Sequence, residues 1–265
     1  ALRSLERPPE RVLVGDAGAI LWTSDLKGFD LIGLGGYHDL PLARAGVQGV
    51  AASLELMERV PPRERPQVMA LYPTWWGTLP EIFGRKMFGV EVHGNVICGG
   101  AEKVVYAADW RLLGTGARPR SVSDRMPIYD EVDFADLVNE RAHAYVFPHP
   151  HGGYATMRVL PDNADESRDL WDGGRVIPTG RSETFTLSHL PEGAPLRLVF
   201  RTTADVPFVT EIAVPGFTGT VSSEKKAGWV EVGLQLPASV VTRSLPVRVT
   251  PRKGEWVSYH LWVVP

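Results

Sequence analysis

Cysteine is nearly absent from this 265-residue sequence: Cys98 stands alone, which excludes an internal disulfide and any cysteine-based zinc site. Basic charge is not in excess either. Twenty-eight Lys and Arg stand against 31 Asp and Glu, giving a net charge of −3 and a pI near 6.2. No positive field is on offer to phosphate backbones or an anionic leaflet, so nucleic acid is not an expected partner. No run of eighteen apolar residues occurs, and the opening stretch ALRSLERPPERV has the pattern of neither a signal peptide nor a membrane span. The Gly-Lys-Ser/Thr ending of a phosphate-binding loop is missing, and so is the Gly-x-Ser-x-Gly elbow of many hydrolases.

What is present is length and apolar content. With 44% apolar residues the chain has enough material for two cores. Residues 11–14 read as a buried strand. A helix follows Asp39 and Pro41, with Ala43, Val47, Val50, Leu54 and Met57 at helical spacing, and ends at Pro61-Pro62. QVMAL (67–71) reads as a second strand, Thr74 as the cap of a short helix that Pro80 interrupts, and 86–92 and 102–107 as two further strands. Strands alternating with helices predict a small α/β layered domain.

The pattern changes at GTGARPRSVSD (114–124), which has no apolar period. Beyond it come short Val/Thr/Phe/Leu-rich runs punctuated by Gly and Pro: ETFTLSHL, LRLVFRTT, FVTEIAVP, WVEVGLQLP, LPVRVTP and WVSYHLWVV. Such spacing predicts an all-β sandwich of the jelly-roll kind. The expected organisation is an α/β domain over 1–116, a linker over 117–125 and a β-sandwich over 126–265.

Several residue groups are candidates for chemistry. Gly15-Asp16-Ala17-Gly18 follows the first strand, where α/β sheets place ligands, but AILW after it reads as strand rather than helix, against a dinucleotide site. The plain role for Asp16 is to cap its own turn. His149 and His151 form a His-x-His pair separated by proline, and Asp162, Asn163, Asp165 and Glu166 supply oxygen ligands without the spaced order of a calcium loop. Both read as solvated loops, and neither a metal nor another cofactor is expected. Flat aromatic rings beside polar groups suit sugar stacking, which singles out Trp171 with Asp172 and Arg175, Trp229 with Glu231, and His260 near Trp256 and Trp262. The alternative for those tryptophans is the sandwich core. Strict alternation along WVSYHLWVV would send Trp256, Ser258 and His260 to one face and Val257, Tyr259 and Leu261 to the other.

The segments VGDAGAI, DLIGLGGYHDLP, ALYPTWW, NVICGGAEKVVYAADWRLL, DLVNERAHAY, GGRVI and WVSYHLW together give a resemblance. The chain resembles the soluble C-terminal portion of bacterial polytopic membrane glycosyltransferases of the GT-C type, including arabinofuranosyl- and mannosyltransferase-like proteins. The likeness is one of pattern, strongest over residues 11–113. It implies an α/β domain on the extracytoplasmic face of the bacterial cell membrane, entered from a membrane span through ALRSLERPPERVLVGD, and a sandwich similar to a carbohydrate-binding module.

The resemblance also implies what the chain lacks. The acidic catalytic residue of such enzymes lies in a loop between membrane helices, so no catalytic residue carries over to this sequence. Gly15, Asp16 and Gly18 match the motif and would face the acceptor or the membrane-embedded part of the same polypeptide. The expected partners are that membrane part and a cell-envelope glycan. Two other readings stand beside this one: a free-standing hydrolase with its site near Asp16, Asp30 and His38, and a purely structural interaction domain.

Overall fold

The structure is a computed structural model that describes residues 2, 7–16, 18–35, 37–94, 99–148, 154–163 and 165–265. The chain divides into two compact units, residues 1–113 and 114–265. Cys98, His149 and His151 lie outside the described residues.

The first unit runs β1 (Arg11–Val14), α1 (Ala19–Ser24), β2 (Lys27–Asp30), α2 (Leu42–Gln48), α3 (Val50–Glu58), β3 (Val68–Leu71), α4 (Leu79–Phe83), β4 (Gly84–Glu91) and β5 (Glu102–Ala108). Its sheet has the order β2-β1-β3-β5-β4. β1 pairs in parallel with both β2 and β3, while β5 joins antiparallel to β3 and β4. One face carries Val12, Val14, Val68, Ala70 and Val105 in a single apolar cluster, against which Ile20 and Leu21 of α1 pack.

Three local expectations are corrected here. AILW is helical, not extended, because a parallel β1–β2 pair needs a crossover of about a dozen residues and α1 supplies it. The long helix over 40–60 is two helices. Gly49 separates them at φ 108°, a conformation closed to most side chains, and the apolar stripe is redirected there. Leu54 and Met57 are therefore buried completely, whereas Val47 before the break is 79% exposed. Thr74 caps no helix; its hydroxyl donates to the Gly99 carbonyl at 3.0 Å, and Pro80 sits in the first turn of α4, where no amide is needed.

The second unit contains β6 (Asp130–Asp133), α5 (Leu137–Ala142), β7 (Ala155–Asp162), β8 (Asp165–Ile177), β9 (Glu183–Ser188), β10 (Leu196–Ala204), β11 (Phe208–Val214), β12 (Phe217–Ser223), β13 (Lys226–Leu236), β14 (Ser244–Lys253), β15 (Trp256–Ser258) and β16 (His260–Val264). Asp136 starts α5 by accepting from the amides of Val138 and Asn139. Two four-stranded sheets, β13-β10-β16-β6 and β12-β11-β14-β9, are accompanied by a three-stranded sheet, β15-β8-β7. Every pairing in these sheets is antiparallel. Leu198, Phe200, Leu261 and Val263 of the first sheet and Phe185, Leu187, Ile212 and Val249 of the second share one core. This is a β-sandwich. The strict in-out alternation along β9 and β11 is what a sheet with one buried face requires.

The segment expected to be a linker is laid over the outer face of the first sheet. Val122, Met126 and Ile128 pack against Val199, Trp262 and Val264, and the Trp262 indole donates to the Ala117 carbonyl at 3.2 Å. Residues 117–125 are thus a cover rather than a tether.

Alternation along WVSYHLWVV also breaks. Trp256 and Leu261, of opposite parity, both enter the main core, whereas Val257 and Tyr259 pack with Leu170 and Trp229. The strand changes partners at Tyr259: β15 pairs with β8, and β16 pairs with β10 and β6. One residue between two strands is enough to reset the pleat.

Candidate functional site

Three places carry the candidate residues. The first is the GDAG turn at the carboxyl end of β1. Gly15 is required there by contact, since a Cβ on it would come within 2.2 Å of the Trp76 ring. The Asp16 side chain reaches Lys103 of β5 at 3.2 Å, and the Lys103 ammonium also lies 4.6 Å from the centre of the Tyr72 ring. Gly18 opens α1, and its amide donates to the Asp16 carbonyl. Asp30 and His38 are committed elsewhere. The Asp30 carboxylate accepts from the amides of Ile32 and Gly35, and His38 pairs with Glu64 at 3.4 Å.

The second place is the outer face of the sheet β13-β10-β16-β6, under the cover. Trp171 and Trp229 are 1% and 2% exposed, so neither is the open stacking ring that their neighbours in sequence suggested. Burial has a local cause in each case. The Trp171 amide donates to the Thr115 hydroxyl of the covering segment, and Trp229 makes an edge-to-face contact with Tyr259 at 4.9 Å.

The polar residues beside the tryptophans meet in an ionic network centred on Arg201, which sequence reasoning did not single out. Its Nη1 donates to Asp172 at 2.7 Å and to the Gly116 carbonyl, and its Nη2 to Glu231 at 3.0 Å and to the Arg118 carbonyl. Glu231 in turn accepts from the amides of Arg120 and Ser121, which pins the cover to the sheet. Burial raises the Asp172 carboxyl above its ordinary value, opposed by Arg201. Arg175 belongs to a separate buried pair, a two-pronged contact with Glu140 of α5 at 2.7 and 2.9 Å. An arginine among the apolar residues of the strand L-R-L-V-F-R-T-T, the second of two there, was the available signal for Arg201. It identifies a polar residue but not its partners.

His260 stacks on Trp262 with ring centres 4.3 Å apart and planes 9° apart. Its ring nitrogens stand 3.9 Å from Glu131 and 3.9 Å from Asp133, beyond hydrogen-bonding distance. Asp133, Asp172 and His260 each have a donor atom within 4.8 Å of the other two. The Asp162–Glu166 stretch is a hairpin between β7 and β8 rather than a free loop: Asp162 pairs with Arg120 at 2.8 Å and the Asn163 amide donates to the Trp229 carbonyl.

The third place is a groove of about 420 Å³ on the outer face of the sheet β12-β11-β14-β9. The register puts Thr184 opposite Arg248, Arg248 opposite Ala213, and Thr186 opposite Pro246. These residues alternate with core residues such as Phe185 and Val247, so they share the solvent-facing side. Hydroxyl and guanidinium donors therefore stand among small, flat apolar groups.

No family model and no curated protein matches the chain. Among solved structures, a carbohydrate-binding module of Cellvibrio mixtus lichenase 5A in complex with cellotriose is 11% identical at a TM-score of 0.36, covering 52% of this chain and 98% of that one. The C-terminal CBM6 of LamC, a marine laminarinase from Zobellia galactanivorans, is 14% identical at 0.31, covering 42% and 91%. CBM35 from Cellvibrio japonicus Abf62 is 14% identical at 0.29, covering 33% and 67%. The sandwich is defined by its own strand pairing, independently of these likenesses. Among the described residues no helix is long and apolar enough to cross a membrane.

Proposed function

We propose that this chain is the extracytoplasmic part of a bacterial membrane glycosyltransferase-like protein, itself without catalytic residues, and that its β-sandwich holds an acceptor glycan of the cell envelope. The observation that carries the glycan reading is the groove across β9, β14 and β11. Its volume suits one or two sugar rings, Thr184, Thr186 and Arg248 offer partners for ring hydroxyls, and Ala213, Pro215 and Pro246 offer surface to the C–H faces. Without an aromatic platform the contact is weak, with dissociation constants on the order of 1 mM.

The membrane context draws support from the α/β unit. Two large apolar side chains at or beside segments that carry the resemblance stand in water: Trp22, two residues after VGDAGAI, is 89% exposed and Leu34, in DLIGLGGYHDLP, is 84% exposed. A membrane-embedded portion of the same polypeptide would cover them.

A second reading is favoured by the burial of Trp171 and Trp229: the sandwich supports the membrane portion and binds no sugar. Titration of the chain with cell-envelope oligosaccharides, followed by NMR chemical shifts, separates the two. Shifts confined to the β9–β14–β11 face and abolished by Arg248→Ala and Thr184→Ala support glycan binding. No shift at several millimolar for any oligosaccharide leaves the supporting role. The membrane context is tested on the coding sequence upstream of residue 1, where many apolar spans are expected.

A further inference from the structure

We propose that Asp133, Asp172 and His260 form a binding site for a divalent transition-metal ion on the outer face of the sheet β13-β10-β16-β6. Their donor atoms lie within 4.8 Å of one another, yet they come from β6, β8 and β16, strands far apart in sequence that belong to two different sheets. The second observation is His260 itself. The residue is 4% exposed, its Nε2 makes no hydrogen bond, and its Nδ1, which faces Asp133 at 3.9 Å, is also beyond hydrogen-bonding distance of that carboxylate. A buried imidazole ordinarily spends both ring nitrogens.

The spacing suits an ion. Metal–nitrogen and metal–oxygen bonds of about 2.0–2.2 Å separate two ligands of one ion by roughly 3.0 to 4.4 Å, depending on the angle between them. His260 Nδ1 stands 3.9 Å from Asp133, inside that range, while Nε2, on the other edge of the ring, faces Glu131. The widest separation, 4.8 Å, needs closure by a few tenths of an ångström. Stacking on Trp262 holds the imidazole plane, the kind of orientation that a ligating ring needs from its surroundings.

Charge points the same way. Glu131, Asp133, Asp172 and Glu231 bring four carboxylates to this patch; the Arg201 guanidinium is taken up by Asp172 and Glu231, and Arg118 acts on Glu131. A divalent ion offsets most of the remaining negative charge. The inner side is closed by Arg201 and the Gly116 carbonyl, while the Glu131 side chain, against the other ring nitrogen, is half exposed at the rim, which leaves an entry path.

One imidazole with carboxylate oxygens suits Zn²⁺ or Mn²⁺; Ca²⁺, which takes oxygen ligands, gains nothing from His260. Bound there, the ion cross-links β8 to β6 and β16, so it acts as a staple of the sandwich.

The test is calorimetric titration of the full chain, stripped with EDTA, using ZnCl2, MnCl2 and CaCl2 in turn. One equivalent of Zn²⁺ or Mn²⁺ is expected to bind, at least tenfold more tightly than Ca²⁺ and with a rise in Tm. His260→Gln and Asp133→Asn should each weaken binding tenfold or more. The metal-free Tm of Asp133→Asn, set beside that of the parent, separates loss of a ligand from loss of the fold. His149→Ala with His151→Ala should leave binding unchanged. The proposal is overturned if neither metal binds at 1 mM, if binding survives both ligand variants, or if it vanishes only with His149 and His151. It is also overturned if nitrogen NMR shows His260 as an imidazolium at pH 7 that does not respond to either metal.

Discussion

The Arg201 guanidinium lies 4.6 Å from the centre of the Trp262 ring, sandwiched between that ring and the covering segment whose carbonyls it holds. Removing it as Arg201→Leu strands Asp172 and Glu231 without their cation, and a loss of about 3 to 5 kcal/mol is expected, the scale for breaking a buried pair from one side. Adding Asp172→Asn and Glu231→Gln should recover part of it. Urea denaturation of the three variants checks the order, and a single variant as stable as the parent would show the network to be idle.

Glu183 gives the sandwich a pH dependence. Burial raises its carboxyl to about 7, against hydrogen bonds from Ser258 and Tyr145 that lower it. In the unfolded chain it titrates near 4.3. Between these values the folded state keeps a proton that the unfolded state has released. Its stabilising contribution is therefore complete below about pH 4.3 and is lost as pH rises to 7, by about 1.4 kcal/mol per unit and roughly 3 to 4 kcal/mol in all. Denaturation at pH 5 and pH 8 should show this slope, and Glu183→Gln should flatten it. An equal slope in the variant would assign the effect to another group.

Leu54 and Val47 lie on the same apolar stripe but on opposite sides of the Gly49 break. Leu54→Ala should cost about 2 to 5 kcal/mol, as for other buried leucines. Val47→Ala should stay within about half a kilocalorie, the usual size of a surface effect. Comparable losses at both positions would mean that the stripe is buried along its whole length.

At Gly15 a methyl group would collide with the Trp76 ring. Gly15→Ala should destabilise the α/β unit by about 1 to 3 kcal/mol, the scale for overpacking, and Trp76→Leu in the same chain should relieve it. A double-mutant cycle with no coupling between the two positions would contradict the contact.

Trp229→Ala should act on stability and not on sugar binding. The ring is buried between Tyr259 and Leu170, and its loss should cost about 3 to 5 kcal/mol. A stable variant that had lost only its response to oligosaccharide would return Trp229 to the binding surface.

Much of this architecture was legible because alternation is a local signal. β9, β11 and β14 each show in sequence the one-sided pattern that burial demands, and the α/β unit shows its change of period. AILW misled because its composition suits a strand, while the parallel pairing that makes it a crossover helix is a long-range fact. Trp171, Asp172, Trp229 and Glu231 were recognisable as a group of rings and charges. Their burial was not, since it depends on residues 115–121, whose composition reads as a free loop until Glu231 and Arg201 are seen to capture their amides and carbonyls. The approach of Asp133, Asp172 and His260 lies further still from sequence, because three strands have to find their places before the residues meet.

The cover over the outer face also imposes an order on synthesis. Ala117 leaves the ribosome 145 residues ahead of Trp262, the ring whose indole it accepts. Gly116 waits 85 residues for Arg201. Until β10 and β16 have been made, this cover has no sheet to lie on, and Val122, Met126 and Ile128 remain in water. The nascent chain thus carries an uncovered apolar strip for most of the time the sandwich is being translated, and that strip is covered only when the last strand arrives.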